Sequence, residues 1–249
     1  MTEHQAGKLD DDYRQSHLER GSTYDATLAG SPFDAYMAQF ERDYLLQLVP
    51  RLFPTTRPSY LDFACGTGRI LETVAPLSRE AVAVDISPSM LEEARRKCPS
   101  VKFVHADLTK DGVDLGKFDL VTSFRFFGNA QDELRAAVLR ALNRVLHVNG
   151  QLVINSHRNP HSIAALLNSV TGGKHGMDLH YFKLKRLLRE HGFEITLTRP
   201  VGFCMYRAKL MAANNAAARA GRMENIFKHG MFTPLAPDAI VVARKIRSL

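Results

Sequence analysis

An α/β fold, with a mostly parallel sheet covered by helices on both faces, is predicted by three features of this 249-residue chain. From Tyr60 onward short apolar runs alternate with amphipathic stretches, the pattern of right-handed crossovers between parallel strands. A glycine-rich bend, Ala64-Cys65-Gly66-Thr67-Gly68, joins the first apolar run to the first amphipathic stretch. The composition, 45% apolar and 24% charged, supplies enough apolar material for one large core.

Ahead of the sheet, Phe33, Tyr36, Met37, Phe40, Tyr44, Leu45 and Leu48 recur at helical spacing behind Ser31 and Pro32, which suit a cap and a first helical residue. The prolines of RLFPTTRPS, residues 51–59, end that helix. Residues 1–54 are therefore read as an N-terminal helical cover, and residues 55–249 as the main domain. Strands are expected at 60–63, 81–85, 102–105, 118–123 and 151–155. Helices are expected over about 68–75, from Ser87-Pro88 to just before Pro99, and along the stripe Leu134, Val138, Ala141, Leu142 and Val145, closing at Asn149-Gly150. Leu184, Leu187 and Leu188 mark a further helix that ends at His191-Gly192 and feeds a strand at 193–199. The last strand is expected at 239–246, after a connection spanning 200–238 whose middle, 206–229, reads as a helical insert.

Composition narrows the function classes. The net charge of +7 is unevenly placed: −5 over residues 1–50, +2 over 51–150 and +10 over 151–249. Because the basic residues are scattered through helical patterns, a solvated face is the simpler reading, and a nucleic-acid partner is not expected. Cys65, Cys98 and Cys204 are odd in number and widely spaced, which excludes a disulfide scaffold and a cysteine zinc site. No metal is expected. No window is apolar enough to span a membrane and the first residues are polar and acidic, so the reading is a cytoplasmic protein without a membrane partner.

Ligands of such sheets bind beyond the carboxyl ends of the strands, which places the chemistry just after Phe63, Asp85, His105, Ser123 and Asn155. Glycines at a strand-to-helix bend let backbone approach a ligand and aim helix N–H groups at it, so a nucleotide-like ligand is implied. A dinucleotide fingerprint wants a third glycine after Gly66 and Gly68, and that position is Leu71. Asp85, ending the second strand, can accept both hydroxyls of a ribose. His105-Ala106-Asp107-Leu108 offers an acceptor for an exocyclic amine beside an apolar side chain that covers a flat base.

LDFACGTG (61–68), AVDIS (83–87), HADL (105–108) and FDLVTSF (118–124), in this order and spacing, resemble the motifs of class I S-adenosylmethionine-dependent methyltransferases of the small-molecule type, over about residues 55–160. LLREHGFEI, residues 187–195, is similar to the segment before the family's sixth strand. The resemblance implies a Rossmann-like doubly wound seven-stranded sheet with the last strand antiparallel, S-adenosyl-L-methionine as cofactor and S-adenosyl-L-homocysteine as product. It implies Gly66 and Gly68 beneath the methionine part, the Ala64 carbonyl near its amino group with Cys65 beside it, and Asp62 shaping the turn or acting through water. Asp85 would hold the ribose, Ile86 and Met90 would sandwich the adenine, and Ala106, Asp107 and Leu108 would line its edge. Ser123 would lie near the methyl. An N-terminal hydroxyl often grips the cofactor carboxylate in such enzymes; Tyr24 is the candidate, with Tyr13 and Tyr36 competing.

The loops after the fourth and fifth strands, FRFFGNA (124–130) and NSHRNPHS (155–162), should face the methyl. His157 is the candidate general base, Arg125 and Arg158 are candidates for gripping an anionic acceptor, and Phe127 and Asn129 complete the expected acceptor wall. TSFRFFG lacks the Asn/Asp-Pro-Pro-aromatic sequence that marks amino-methylation of nucleic-acid bases or glutamine. The expected function is methyl transfer to an oxygen or nitrogen of a small molecule by a monomer or homodimer. The alternatives are an RNA or protein methyltransferase and a non-catalytic cofactor-binding module.

Overall fold

The computed structural model describes residues 30, 32–110, 113–170, 179–203 and 224–249. Helix α1 (Pro32–Leu52) precedes a seven-stranded sheet made of β1 (Ser59–Phe63), β2 (Glu80–Asp85), β3 (Lys102–His105), β4 (Phe118–Ser123), β5 (Leu146–Ser156), β6 (Phe193–Val201) and β7 (Asp238–Lys245). The order across the sheet is β3-β2-β1-β4-β5-β7-β6. The pairs among β1 to β5 are parallel, and β7 runs antiparallel to both neighbours. This is the doubly wound sheet with an antiparallel last strand that the sequence predicts. The winding reverses between β1 and β4, where a crevice must open.

Strands buried on both faces send alternate residues to two cores. Leu61, Val121 and Leu152 pack with α4 (Asp132–Val145) and α6 (Tyr181–Glu190) through Leu134, Val138, Leu142, Leu184 and Leu188. Tyr60, Leu120, Val153 and Val242 pack on the other face with α1, α2 (Arg69–Val74) and α3 (Pro88–Lys97) through Leu45, Leu48, Ile70, Leu71 and Leu91. The α1 stripe read from the sequence thus covers one face of the sheet.

Ser87 caps α3 as expected, its hydroxyl accepting from the Met90 N–H, with Pro88 in the first turn. Helix α4 ends at Val145, four residues before the predicted close. Asn149, with φ 69°, and Gly150 lie instead in the irregular first half of β5, where the register against β4 shifts between Phe118 and Leu120. A left-handed Asn followed by Gly signals a chain reversal; here the reversal enters a strand. Helix α5 (Ile163–Val170) has no counterpart among the predicted elements. Most of the expected insert helix, 206–229, lies outside the described residues; its described end, 224–229, holds a 3₁₀ turn, Asn225–Phe227, in place of the expected helix, and a second 3₁₀ stretch, Gly230–Leu235, follows before β7. Among the described residues, no helix is long and apolar enough to cross a membrane.

Candidate active site

The bend after β1 holds three left-handed positions, Ala64 (φ 54°), Gly66 (φ 53°) and Gly68 (φ 83°). Cys65 N–H donates to the Val84 carbonyl at 3.2 Å, carrying the β1–β2 pairing past the strand end, and Gly68 N–H closes back on the Cys65 carbonyl at 3.0 Å before α2 begins. A methyl group placed on Gly66 meets nothing within 4 Å, whereas one on Gly68 comes within 3.1 Å of the Ala94 β-carbon on α3. The two glycines therefore have different jobs. Gly66 keeps space open, and Gly68 lets two helices approach.

Gly66 looks into a cleft, partly open to solvent, beyond the carboxyl ends of β1 to β4. Asp62, Ala64, Cys65, Gly66, Asp85, Ile86, Met90, Ala106, Asp107, Leu108 and Arg125 all line it. The Asp85 carboxylate accepts from Gly66 N–H at 2.8 Å and Ser87 N–H at 2.9 Å, which fixes its rotamer across the bend. Each carboxylate oxygen has more than one acceptor direction, so these bonds leave capacity for a ligand hydroxyl. Asp107 accepts from the Thr109 N–H and hydroxyl, at 3.0 and 2.6 Å, through one of its oxygens. A carboxylate at each of two neighbouring strand ends, apolar Ile86, Met90 and Leu108 between them, and an open glycine suit an adenosyl group. On these grounds the residues fit the expected cofactor.

Asp62 lines the bottom of the cleft and is 2% exposed. Its Oδ1 accepts from the Thr122 hydroxyl at 2.6 Å, and that hydroxyl lies 2.6 Å from the Tyr60 phenol, so a chain of hydrogen bonds runs from β1 to β4 and back. Burial pushes the carboxyl up to about 7, against the opposing pull of the Thr122 hydrogen bond and the Arg69 charge. Its Oδ2 is buried without a hydrogen-bond partner.

Helix α1 is tied to this floor by side chains that sequence reading missed. Glu41, fully buried, pairs with Arg69 of α2 at 2.6 Å and accepts from Asn155 at 3.1 Å. The Asn155 side-chain oxygen in turn accepts from the backbone N–H of Arg125, whose φ is 59°, and the Arg125 guanidinium reaches Asp34 of α1 at 2.7 Å. Asp34 and Glu41 stand seven residues apart, on one face of α1. A spacing of seven is only a hint in sequence; it becomes a clamp because the fold brings the β4 and β5 ends beneath that face.

Several expected acceptor contacts fall elsewhere. Phe127 is fully buried and packs edge-on against Phe126, at 5.4 Å between centroids, so it belongs to the core rather than the acceptor wall. It is Phe126 and Phe124 that reach the cleft. Asn129 donates to the Arg125 carbonyl at 2.7 Å and braces that turn. Arg158 is exposed with φ 58°, its N–H held by Asp238 at 2.9 Å, and it does not line the cleft. Ser123 is fully buried below the floor. His157, the expected base, packs against Gly128 and is drawn down to about 3 by burial and then by the charges of Arg125 and Arg158. A neutral imidazole of that weak basicity, off the cleft lining, does not suit general base catalysis. Tyr24 and Tyr13 lie outside the described residues. Tyr36 is on α1, stacked on Phe40 at 6.3 Å.

Comparison with known proteins agrees with this geometry. Residues 61–150 match the model of the methyltransferase domain family. The chain is 36% identical over 110 residues to a demethylmenaquinone methyltransferase of Clavibacter sepedonicus, covering 43% of this chain and 44% of that one. It is 28% identical over 127 residues to a ubiquinone biosynthesis O-methyltransferase of Xanthomonas oryzae pv. oryzae, covering 46% and 48%. The chain thus spans less than half the length of these two relatives. Its fold is similar to that of magnesium protoporphyrin IX methyltransferase from Synechocystis PCC 6803 with bound SAH (TM-score 0.65, 15% identity, 95% of this chain and 99% of that one). It is similar also to the N-methyltransferase NodS from Bradyrhizobium japonicum WM9 in complex with S-adenosyl-L-homocysteine (TM-score 0.61, 16% identity, 95% and 100%). The glycine bend and its two strand-end carboxylates therefore lie within the segment that matches the methyltransferase domain family, and the fold is similar to that of solved S-adenosylmethionine-dependent methyltransferases.

Proposed function

We propose that the chain transfers the methyl group of S-adenosylmethionine to an oxygen or nitrogen of a small-molecule acceptor by direct in-line displacement. The observation that carries this reading is the cleft that Gly66, Asp85 and Asp107 line together, with open space over Gly66. The activities named for the relatives, on quinone precursors and a porphyrin, support a small acceptor.

The cofactor brings a methyl already made electrophilic by positively charged sulfur. What remains for the protein is to bind, align and keep out water, and alignment alone supplies roughly 7–11 kcal/mol in favourable cases. In this reading Asp85 accepts the ribose hydroxyls. Ile86 and Met90 cover the base, and Asp107 with the Leu108 N–H reads its edge. Arg125 holds an anionic group of the acceptor, exchanging its Asp34 partner for it; its strained backbone, fixed by Asn155, aims the side chain. The acceptor's proton leaves without help from His157. A cytoplasmic setting accords with the free thiols of Cys65 and Cys98.

Isotope-labelled methyl transfer from S-adenosylmethionine tests the assignment, using panels of phenols, carboxylates and amines beside total RNA and protein. Label entering small acceptors is expected. Label confined to RNA or protein would overturn the acceptor class, and cofactor binding without transfer to any panel member would leave only a binding module.

A further inference from the structure

Methyl transfer changes the charge in the cleft. As the carbon–sulfur bond breaks, its electron pair stays on sulfur, so a sulfonium cation becomes a neutral thioether. The acceptor's oxygen or nitrogen gains the methyl and gives up a proton. A titratable group in the cleft can register that lost charge. We propose that Asp62 is such a group: ionised while the sulfonium cofactor is bound and protonated beside the thioether product, so that the two ligands differ in the protons they displace. This rests on the cofactor assignment above and adds to it a proton-coupled preference of cofactor over product.

The geometry that supports it is local. Asp62 lines the cleft yet is 2% exposed, so solvent does not screen its charge. One oxygen is bonded to Thr122, while Oδ2 is buried with no hydrogen bond, a site that holds a proton or faces a cation and gains from either. Four charged or titratable groups act on it. Arg69 on α2 opposes it but is paired with Glu41, Asp85 at the end of β2 repels its ionised form, and the Tyr60 phenol and Cys65 thiol stay neutral because burial raises both. The net field is therefore nearly balanced, and burial has brought the carboxyl up to about 7. One positive charge arriving within the cleft decides its state.

Linkage sets the sign and the size. A cation lowers the carboxyl below its value in the ligand-free protein, so cofactor binding expels a proton and weakens as pH falls, while product binding changes less. The ratio of cofactor to product affinity is then expected to rise about fivefold to tenfold between pH 6 and pH 8. Isothermal titration calorimetry of the full chain at pH 7, in two buffers of different ionisation enthalpy, counts the protons. S-adenosylmethionine should displace about half a proton more from the wild type than from D62N, a subtraction that removes the ligand's own amine. S-adenosylhomocysteine should show little difference between the two proteins. The variant T122V keeps the carboxylate and removes its hydrogen-bond donor; its affinity-ratio midpoint should move to higher pH, a shift that loss of folding would not produce. Equal proton counts for both ligands in the wild type, or an unchanged excess in D62N, would overturn the proposal while leaving the cofactor assignment standing. Failure of either ligand to bind would overturn both.

Discussion

Gly66→Ala and Gly68→Ala form a matched pair that separates a ligand-binding role from a packing role within one bend. Both positions are left-handed, so each alanine costs about 1–2 kcal/mol of backbone strain, offset by about 0.4–1 kcal/mol from the stiffer unfolded chain. At Gly66 the added methyl meets no protein atom, and the net loss of stability should stay near 1 kcal/mol. At Gly68 it presses on the Ala94 β-carbon at 3.1 Å and α-carbon at 3.2 Å, both on the well-packed helix α3, which adds about 1–3 kcal/mol. For a domain of this size each kcal/mol lowers the melting temperature by about 2–4 °C. Gly66→Ala should therefore melt about 2–4 °C below wild type and Gly68→Ala about 4–16 °C below, combining those increments. Affinity should rank the other way, because only the Gly66 methyl enters the cleft; its loss for S-adenosylmethionine should exceed tenfold by calorimetry, while folded Gly68→Ala retains more. This division of roles is refuted if Gly66→Ala proves the less stable of the two, or if it binds the cofactor as well as wild type.

Other substitutions probe single contacts. Asp85→Asn removes a charge from two backbone N–H bonds and from the ribose contact, so S-adenosylmethionine affinity should drop about tenfold to a hundredfold, as about 1.5–3 kcal/mol for bonds to a charged acceptor predicts; undiminished affinity by titration would contradict the ribose assignment. Arg125→Ala should raise KM for an anionic acceptor by about tenfold with cofactor affinity little changed, and steady-state kinetics with both substrates varied would expose the opposite pattern. Asp238 is buried and raised to about 7, far above its unfolded value, so its contribution is fully present in acid and lost as pH rises through 7. Asp238→Asn keeps an acceptor for the Arg158 N–H and should raise the melting temperature more at pH 8 than at pH 5, and least at pH 4; a pH-independent effect would mean the carboxyl does not titrate there.

The amphipathic and alternating patterns named all seven strands within a residue or two, apart from the irregular start of β5, because each strand is a short apolar run bounded by turn residues. Local chemistry likewise located most of the cleft lining. The glycine bend, Asp85 and the HADL segment each end a strand, and parallel winding brings adjacent strand ends together without further information. The acceptor side was less legible. His157 and Phe127 sit on loops that face the methyl in a schematic sheet, yet which side of a loop is buried depends on contacts with distant segments, here Gly128 and Phe126 with the core behind them.

Residue order thus dictated the sheet, its ligand-facing edge and the glycines that keep that edge open, since these follow from periodicity and backbone conformation over a few residues at a time. Tertiary packing alone decided that Glu41 of α1 would clamp Arg69 and Asn155, and that Asp62 would line the bottom of the cleft nearly buried, tied to Thr122 and through it to Tyr60. Both arrangements join groups tens of residues apart, and their energies come from burial, which no local stretch of sequence records.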